Sequence, residues 1–193
     1  MNAATIATHC WNMDLQLDGS RLTLRPLSAD DVTPRYAGWL ADPRINAYLE
    51  TRWQEQSLES IANFVQAQNN DATVLLMAMV RKDNGQHIGN IKLGPINLHH
   101  LCGDISYFIG EPSAWGQGLA TEAISLMVDC GFSRLGLHRI QAGCYAANIG
   151  SAKALAKVGF QQEGVWRAHV LDPEGTWQDH LWFGMLCDEW QAS

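Results

Sequence analysis

The stretch that decides the fold is Trp115-Gly116-Gln117-Gly118-Leu119-Ala120-Thr121-Glu122-Ala123, which lies between a predicted strand and a long predicted helix. Its two glycines let the backbone turn so that several N–H groups face one point. The helix that follows adds unpaired N–H groups and a partial positive charge at its N-terminus. Together these features predict an anion site that suits a pyrophosphate. A tight turn without any ligand is the alternative interpretation of the glycines alone.

Two other phosphate-binding loops do not match this stretch. A P-loop requires Gly-Lys-Ser/Thr, which is missing here. A dinucleotide-binding loop has a third glycine where this chain has Thr121. Such a loop also requires an acidic residue at the end of the next strand, which here reads Gly143-Cys144-Tyr145. The sequence therefore does not favour dinucleotide binding.

Outward from the loop, periodicity and turn residues predict an α/β (α+β) fold. A strand, the long helix at 118–134 and a further strand form a βαβ unit, so the strands at 104–110 and 139–144 should be parallel. The rest of the central sheet should be antiparallel, with helices on both faces. The other predicted strands are at 21–27, 73–81, 87–93 and on either side of the turn at 172–175; the other predicted helices follow Ser28 and lie at 45–49, 57–68 and 149–158, the last ending at Gly159.

Composition predicts one globular domain over residues 1–193, with about 1–18 as a loosely held N-terminal extension. Hydrophobic residues make up 47% of the chain and charged residues 17%, a balance typical of a protein with a core. The N-terminus lacks a basic start and an apolar segment, and no apolar run is long enough for a membrane span, so we expect a cytoplasmic protein without membrane contact.

Cysteine spacing and net charge narrow the classes of partner. The cysteines are odd in number and without a C-x-x-C pair, which argues against a disulfide framework and a metal site. The net charge of -7 and the lack of a basic cluster argue against nucleic acid binding. Acidity favours a cationic partner such as an amine, although solubility alone also explains it. The cysteines are Cys10, Cys102, Cys130, Cys144 and Cys187.

Two motifs resemble those of the GNAT N-acetyltransferases. The family's coenzyme A loop, R/Q-x-x-G-x-G/A, is similar to Trp115-x-x-Gly118-x-Ala120, with Trp115 departing from the first position. Residues 148–160 resemble the family's N-x-x-S/A-x-x-x-x-x-K-x-G-F stretch. The segments at 24–27, 39–43 and 175–179 are similar to those of the RimJ/RimL-like subgroup, which contains the ribosomal-protein N-terminal acetyltransferases. The resemblance covers about residues 20–190.

The resemblance implies that acetyl-CoA is the cofactor and that two splayed parallel strands receive its pantetheine arm. It implies a role for the backbone N–H of Ile109 in stabilising the oxyanion. The cofactor-binding residues that it implies are Phe108, Ile109, Gly110, Trp115, Gly116, Gln117, Gly118, Leu119, Ala120, Thr121, Asn148 and Ser151.

The general acid implied by the resemblance is Ser151. Many family members use a tyrosine seven residues after the asparagine, and this chain has Leu155 there. The subgroup is thought to use a serine three residues after the asparagine, which is Ser151 here. A serine that only caps its helix is the alternative, and Asn148 is itself a candidate N-cap.

The acceptor and the base are less defined by sequence. An α-amine, with a pKa near 8, needs about 1.4 kcal/mol to lose its proton at pH 7, whereas a lysine amine needs about 4.6 kcal/mol. We expect a small-molecule amine such as an amino sugar; the alternatives are a protein N-terminus and a non-catalytic acyl-CoA-binding module. A monomer or a homodimer is expected. The candidate bases are Glu50, Asp104, Glu111 and Asp179, and the candidate substrate-lining aromatic residues are Trp53 and Trp177.

Overall fold

The computed structural model describes residues 15–190, which form one eight-stranded sheet in the order β1-β2-β3-β4-β5-β6-β8-β7 and five α-helices. The strands are β1 (Leu17–Asp18), β2 (Leu22–Pro26), β3 (Leu75–Arg81), β4 (His87–Asn97), β5 (Cys102–Ile109), β6 (Arg139–Tyr145), β7 (Gln161–Leu171) and β8 (Trp177–Leu186). The helices are α1 (Pro34–Ala41), α2 (Pro43–Asn46), α3 (Leu58–Asn69), α4 (Leu119–Asp129) and α5 (Ile149–Val158).

The parallel pair β5–β6 is short, and this creates the gap on which the site is built. Three residue pairs join the two strands, from Cys102↔Arg139 to Asp104↔Gln141. Beyond that point β5 stays paired with β4 as far as Ile109, and β6 stays paired with β8 as far as Tyr145. The two strands therefore splay apart toward their C-terminal ends. This confirms the predicted sheet, antiparallel except for two splayed parallel strands.

Helices cover both faces of the sheet, as the alternation of β3 shows. Met77 and Met79 are buried in the core that includes α4, whereas Leu76 and Ala78 are buried in a second core with α1 and α3. The predicted arrangement of helices on both faces is confirmed.

Three helices differ clearly from those predicted, and the one predicted at 45–49 is α2, Pro43–Asn46, followed by a 3-10 turn at Glu50–Trp53. Ser28 caps only a short 3-10 turn with Asp31, and α1 begins after Thr33 because Pro34 suits the first turn of a helix. The helix predicted at 118–134 is α-helical to Asp129 and then continues as a π-helical turn. In that turn the backbone at Gly131 lies so close to Ile140 that a Cβ would be 2.6 Å from the Ile140 side chain.

Part of the predicted N-terminal extension belongs to the sheet. Leu17 and Asp18, the last residues of the predicted N-terminal extension, form β1 against β2. Cys10 lies outside the described residues, and Cys102, Cys144 and Cys187 carry free thiols. Within residues 15–190, no helix is long and apolar enough to cross a membrane, and no group of three or more His, Cys, Asp or Glu side chains could hold a metal ion.

Candidate active site

The end of β5 presents a backbone donor to the gap between β5 and β6. The Gly110 N–H donates to the Ile88 carbonyl at 2.8 Å, and Gly89 lies opposite Ile109. Because hydrogen bonding alternates along an antiparallel ladder, the N–H of Ile109 points away from β4 and into the gap, while those of Phe108 and Gly110 face β4. Of these three predicted residues, Ile109 is the one whose N–H is directed toward the predicted pantetheine path.

The loop after β5 has the geometry of an anion cradle. Gly116 and Gly118 have φ values of 72° and 77°, in the left-handed region that favours glycine. The N–H of Glu122 makes the first helical bond of α4, to the Gly118 carbonyl at 3.1 Å. The N–H groups of residues 119–121 therefore precede the helical ladder and have no intrahelical acceptor. A Cβ on Gly116 would meet nothing within 4 Å, so the loop is open to a ligand there.

Trp115, which departs from the family motif, fastens this loop to the strand. Its indole Nε1 donates to the Ile109 carbonyl at 2.9 Å. This hydrogen bond holds the loop beside the gap. The side chain at the first position of the motif therefore binds the protein's own backbone.

A cation that sequence reasoning missed lies beside the cradle. The guanidinium of Arg21 donates to the Gln117 carbonyl at 2.7 Å and pairs with the Glu122 carboxylate at 3.0 Å. Burial raises the pKa of Glu122, but hydrogen bonds from the backbone of Arg21 and Leu22 and from the Arg21 side chain outweigh it, so the pKa is lowered overall. Arg21 is half exposed and places positive charge beside the N–H groups of the cradle.

Ser151 and Tyr107 form a hydroxyl pair at the side of the gap nearest α5. Asn148 caps α5, since its Oδ1 accepts the Ser151 N–H at 3.1 Å. The Ser151 side chain is instead 2.8 Å from the Tyr107 hydroxyl. Burial raises the pKa of Tyr107 to about 12, although the bond to Ser151 opposes the shift. Both hydroxyls therefore keep their protons at neutral pH, as a proton-donating pair requires.

A cavity of about 460 Å³ lies at this gap, and residues from both faces of the sheet line it. Its outer wall is the segment at 48–56 together with α3, and its floor is formed by strands β4, β5, β6 and β8. The polar residues of the floor are Asn90, Lys92, Ser106, Tyr107, Tyr145 and His180, and Asn148 and Ser151 complete the lining beside α5.

One wall of the cavity carries a carboxylate, that of Glu50, which hydrogen bonding holds in place. The Tyr145 hydroxyl donates to Glu50 Oε1 at 2.5 Å and accepts from Arg52 Nη2 at 2.8 Å. Arg52 also donates to the carbonyls of Ala47, at 2.6 Å, and Leu171, which locks the 3-10 turn Glu50–Trp53 against β7. Burial and the neighbouring Glu50 carboxylate raise the pKa of Tyr145, whereas Arg52 lowers it. Glu50 is thus held as an acceptor facing the cavity.

A histidine that sequence reasoning missed lies on the same wall. The ring of His180 covers Gly143, where any Cβ would collide with it. Burial lowers the pKa of His180, nearby His169 lowers it further, and Glu50 opposes the shift. The His180 Nδ1 is buried and has no hydrogen-bond partner among residues 15–190. The cavity therefore contains a neutral imidazole at pH 7.

The other candidate acids and both candidate aromatic residues, Trp53 and Trp177, do not line this cavity. Trp53 is 59% exposed, with the Arg52 guanidinium 4.6 Å from its ring centroid. Asp104 accepts from Gln141 Nε2 at 2.7 Å. The remaining two are engaged elsewhere: Asp179 accepts the Ala168 N–H at 2.9 Å, and Glu111 pairs with Arg35 and the Trp39 indole. Of the predicted substrate residues, Glu50 is the one that the structure brings to the gap.

The chain is similar in sequence and in fold to known acetyltransferases. The family described as "Acetyltransferase (GNAT) domain" matches residues 21–161. An uncharacterized N-acetyltransferase, YoaA of Bacillus subtilis, is 34% identical over 156 residues, covering 80% of this chain and 87% of its own. The [Ribosomal protein uS5]-alanine N-acetyltransferase of Escherichia coli is 32% identical over 92 residues, 47% of this chain and 45% of its own. The spermidine N-acetyltransferase of Vibrio cholerae, solved with CoA and spermine, superposes with a TM-score of 0.78 at 22% identity over 89% of this chain and 98% of its own.

The chain belongs to the GNAT acetyltransferase family. It is an N-acetyltransferase, an acyltransferase that uses acetyl-CoA, and the family, enzyme class and cofactor predicted from the sequence are confirmed.

Proposed function

We propose that the protein acetylates the primary amine of a small molecule. The observation that carries the proposal is the walled cavity of about 460 Å³, which reaches the Ser151–Tyr107 pair through the splayed gap. Its size is within the range of about 300–1,000 Å³ typical of small-molecule sites. The spermidine N-acetyltransferase, similar in fold, takes a small amine by its name.

A protein N-terminus is the second candidate acceptor. It is supported by the local similarity to the [Ribosomal protein uS5]-alanine N-acetyltransferase of Escherichia coli. We rank it lower because residues 48–56 and α3 wall the cavity, whereas a peptide requires an open groove for the chain that follows its first residues. The non-catalytic acyl-CoA-binding module is supported by Leu155, which stands where many family members have a tyrosine. That support is weakened because the hydroxyls of Tyr107 and Ser151 are available as proton donors instead.

The residues present fit acetyl-CoA, which supplies an acetyl group activated as a thioester. The N–H groups of residues 119–121 and the Arg21 guanidinium would hold the pyrophosphate. The Ile109 N–H, directed into the gap, would stabilise an oxygen that gains negative charge there. Ser151, hydrogen-bonded to Tyr107, would donate a proton to a sulfur leaving at the α5 side of the gap.

On the opposite wall, Glu50 would bind the acceptor's ammonium group and His180 would accept its proton. The Glu50 carboxylate attracts an ammonium. His180 is the better proton acceptor, because moving a proton from an α-amine of pKa near 8 to an ordinary imidazole costs about 2 kcal/mol, against about 5 kcal/mol to an ordinary carboxylate. The lowered pKa of His180 makes this proton transfer more costly, but it also keeps the ring neutral and therefore able to accept a proton.

His180→Gln is expected to lower kcat about 10-fold at pH 7.5, at the low end of general-base effects because water in the cavity can also take the proton. In the wild type, kcat at saturating acetyl-CoA and acceptor should fall as pH drops through the lowered pKa of His180, below the ordinary value of 6.5. His180→Gln should remove this acid limb. The titratable groups that face the ring are Tyr145, Glu50 and His169, and Trp182 packs against it as well.

His169→Gln is the matched control for this pH profile. It removes a neighbour that lowers the pKa of His180, so the limb should move to higher pH while kcat on the plateau is retained. An acid limb that persists in His180→Gln would assign the proton to another group.

An acceptor panel tests the proposed function. Thiol release from acetyl-CoA would be followed with amino sugars, amino acids, polyamines, lysine peptides and peptides with free N-termini. We expect turnover with a small amine and little with the peptides. Turnover confined to N-terminal peptides would reverse the ranking of the two acceptors. The cytoplasmic location, the single domain and the monomeric or homodimeric state stay predictions.

A further inference from the structure

A lysine on the floor of the cavity makes no ion pair with any residue of the described range 15–190. Lys92 lies on β4 and lines the cavity, facing the same side of the sheet as Leu76 and Asn90. Among residues 15–190 its ammonium makes no hydrogen bond and no salt bridge. Burial lowers its pKa, and Asp104 and Asp71, which act on it from beyond ion-pair distance, oppose the shift. A half-buried ammonium that makes no direct hydrogen bond or ion pair carries a desolvation cost, which these distant carboxylates offset only in part and which a bound anion would offset further.

A second donor lies beside it. Asn90 is 3% exposed and also lines the cavity. Its Oδ1 bonds with His87 Nε2 at 2.8 Å, which leaves the Nδ2 group without a hydrogen-bond partner in the described part of the chain. The Tyr36 hydroxyl contacts Asn90: hydrogen bonding from the Asn90 side chain opposes the rise that burial causes in the pKa of Tyr36, although the contact falls outside strict hydrogen-bond geometry for Nδ2. Two residues apart on one strand, Asn90 and Lys92 have backbones about 7 Å apart.

The charges of the cavity are separated across the gap. The Glu50 carboxylate, fixed by Tyr145 of β6, and the Glu55 carboxylate belong to the segment at 48–56, whereas the Lys92 ammonium is on β4, which β5 and the gap separate from β6. Neighbouring strands lie about 4.8 Å apart, so a small molecule can reach both sides. A neutral amine or a polyamine would use the Glu50 side and leave Lys92 and Asn90 unsatisfied.

We propose that Lys92 and Asn90 bind an anionic oxygen group of the acceptor, a carboxylate or a phosphate. This inference rests on the proposed function and names the acceptor class: an amine that carries an oxyacid group several ångströms from its nitrogen, such as an amino acid or a phosphorylated amino sugar. The amine lies over the gap near Glu50 and His180, and the oxyacid group lies over β4.

The test compares acceptors that differ only in the anionic group: glucosamine 6-phosphate with glucosamine, and an amino acid with its amide. In the wild type the anionic member of at least one pair should have the lower KM, and which pair responds separates phosphate from carboxylate. Lys92→Met keeps the apolar stem and removes the charge, so it should raise that KM about 10- to 100-fold and leave KM for the neutral member within about 3-fold. Lys92→Arg should restore part of the loss.

Lys82→Met is the matched control, because Lys82 pairs with Asp18 away from the cavity, and it should change neither KM. Calorimetry with the same acceptors in the presence of CoA separates this inference from the proposed function. If no amine is turned over, the proposed function fails, whereas tighter binding of the anionic member that Lys92→Met abolishes would still support the anion site. Equal binding of both members by the wild type, or an equal loss with both in Lys92→Met, would overturn it.

Discussion

Ser151→Ala is expected to lower kcat about 100-fold and to leave the Kd for acetyl-CoA within about 3-fold. Loss of a positioned proton donor costs about 10²–10⁴ in rate, and the Tyr107 hydroxyl and water can replace part of it. The fold should be unaffected, because Asn148 caps α5 through the backbone N–H of Ser151, which alanine keeps. Steady-state kinetics, with calorimetry of acetyl-CoA binding, measures both quantities.

Tyr107→Phe completes this experiment. If the two hydroxyls, 2.8 Å apart, act as one unit, Tyr107→Phe should also lower kcat, and the double variant should be little worse than Ser151→Ala alone. Ser125→Ala on α4, outside the cavity lining, is the control and should keep the wild-type kcat. Unchanged turnover in Ser151→Ala would show that Ser151 is not the acid.

Gln117→Glu is expected to raise the Kd for acetyl-CoA about 50-fold. The side chain is exposed at the cradle, and the substitution keeps its size while adding a negative charge beside the position of the pyrophosphate. A like charge about 4 Å away costs between about 1 and 4 kcal/mol, depending on how much water screens it. The thermal midpoint of unfolding should fall only slightly, because the lost hydrogen bond from Gln117 Nε2 to the Ser113 carbonyl is partly offset by the favourable effect of an acidic group near a helix N-terminus.

Gln66→Glu separates the effect of a charge at the cradle from the effect of overall net charge on the Kd for acetyl-CoA. Gln66 is exposed on α3 and away from the cradle, so this substitution makes the same change in net charge but should leave the Kd unchanged. Equal losses of affinity in both variants would point to overall charge, and no loss in Gln117→Glu would place the pyrophosphate elsewhere.

The parts of the site that are contiguous in sequence could be predicted. The cradle follows from two glycines before a helix, the N-cap at Asn148 and the C-cap at Gly159 follow from residue type, and the parallel strands follow from a βαβ unit. Even the direction of the Ile109 N–H follows from the ladder, once β5 is paired with β4.

The parts of the site that come from separate elements could not be predicted. Arg21 reaches the cradle from the start of β2, about a hundred residues away in sequence, because Glu122 on α4 holds it. His180 faces the cavity because β8 pairs with β6 and places it over Gly143. The turn Glu50–Trp53 directs Glu50 inward and Trp53 outward, and no period in so short a segment indicates which residue faces the cavity. The sequence does indicate the orientation of Tyr107, because strand alternation places its side chain on the opposite face of β5 from that of Ser106. Its partner Ser151, however, comes from α5, and the sequence does not indicate that the two meet.

The stoichiometry of the reaction tests the central claim most directly. The protein would be incubated with acetyl-CoA and the best small amine of the panel, and free CoA and N-acetylated product would be quantified together by mass spectrometry. The account predicts one N-acetyl product for each CoA released, and a Ser151→Ala sample in which both fall about 100-fold together. Release of CoA without an N-acetylated amine, or no release with any amine while acetyl-CoA still binds, would contradict it.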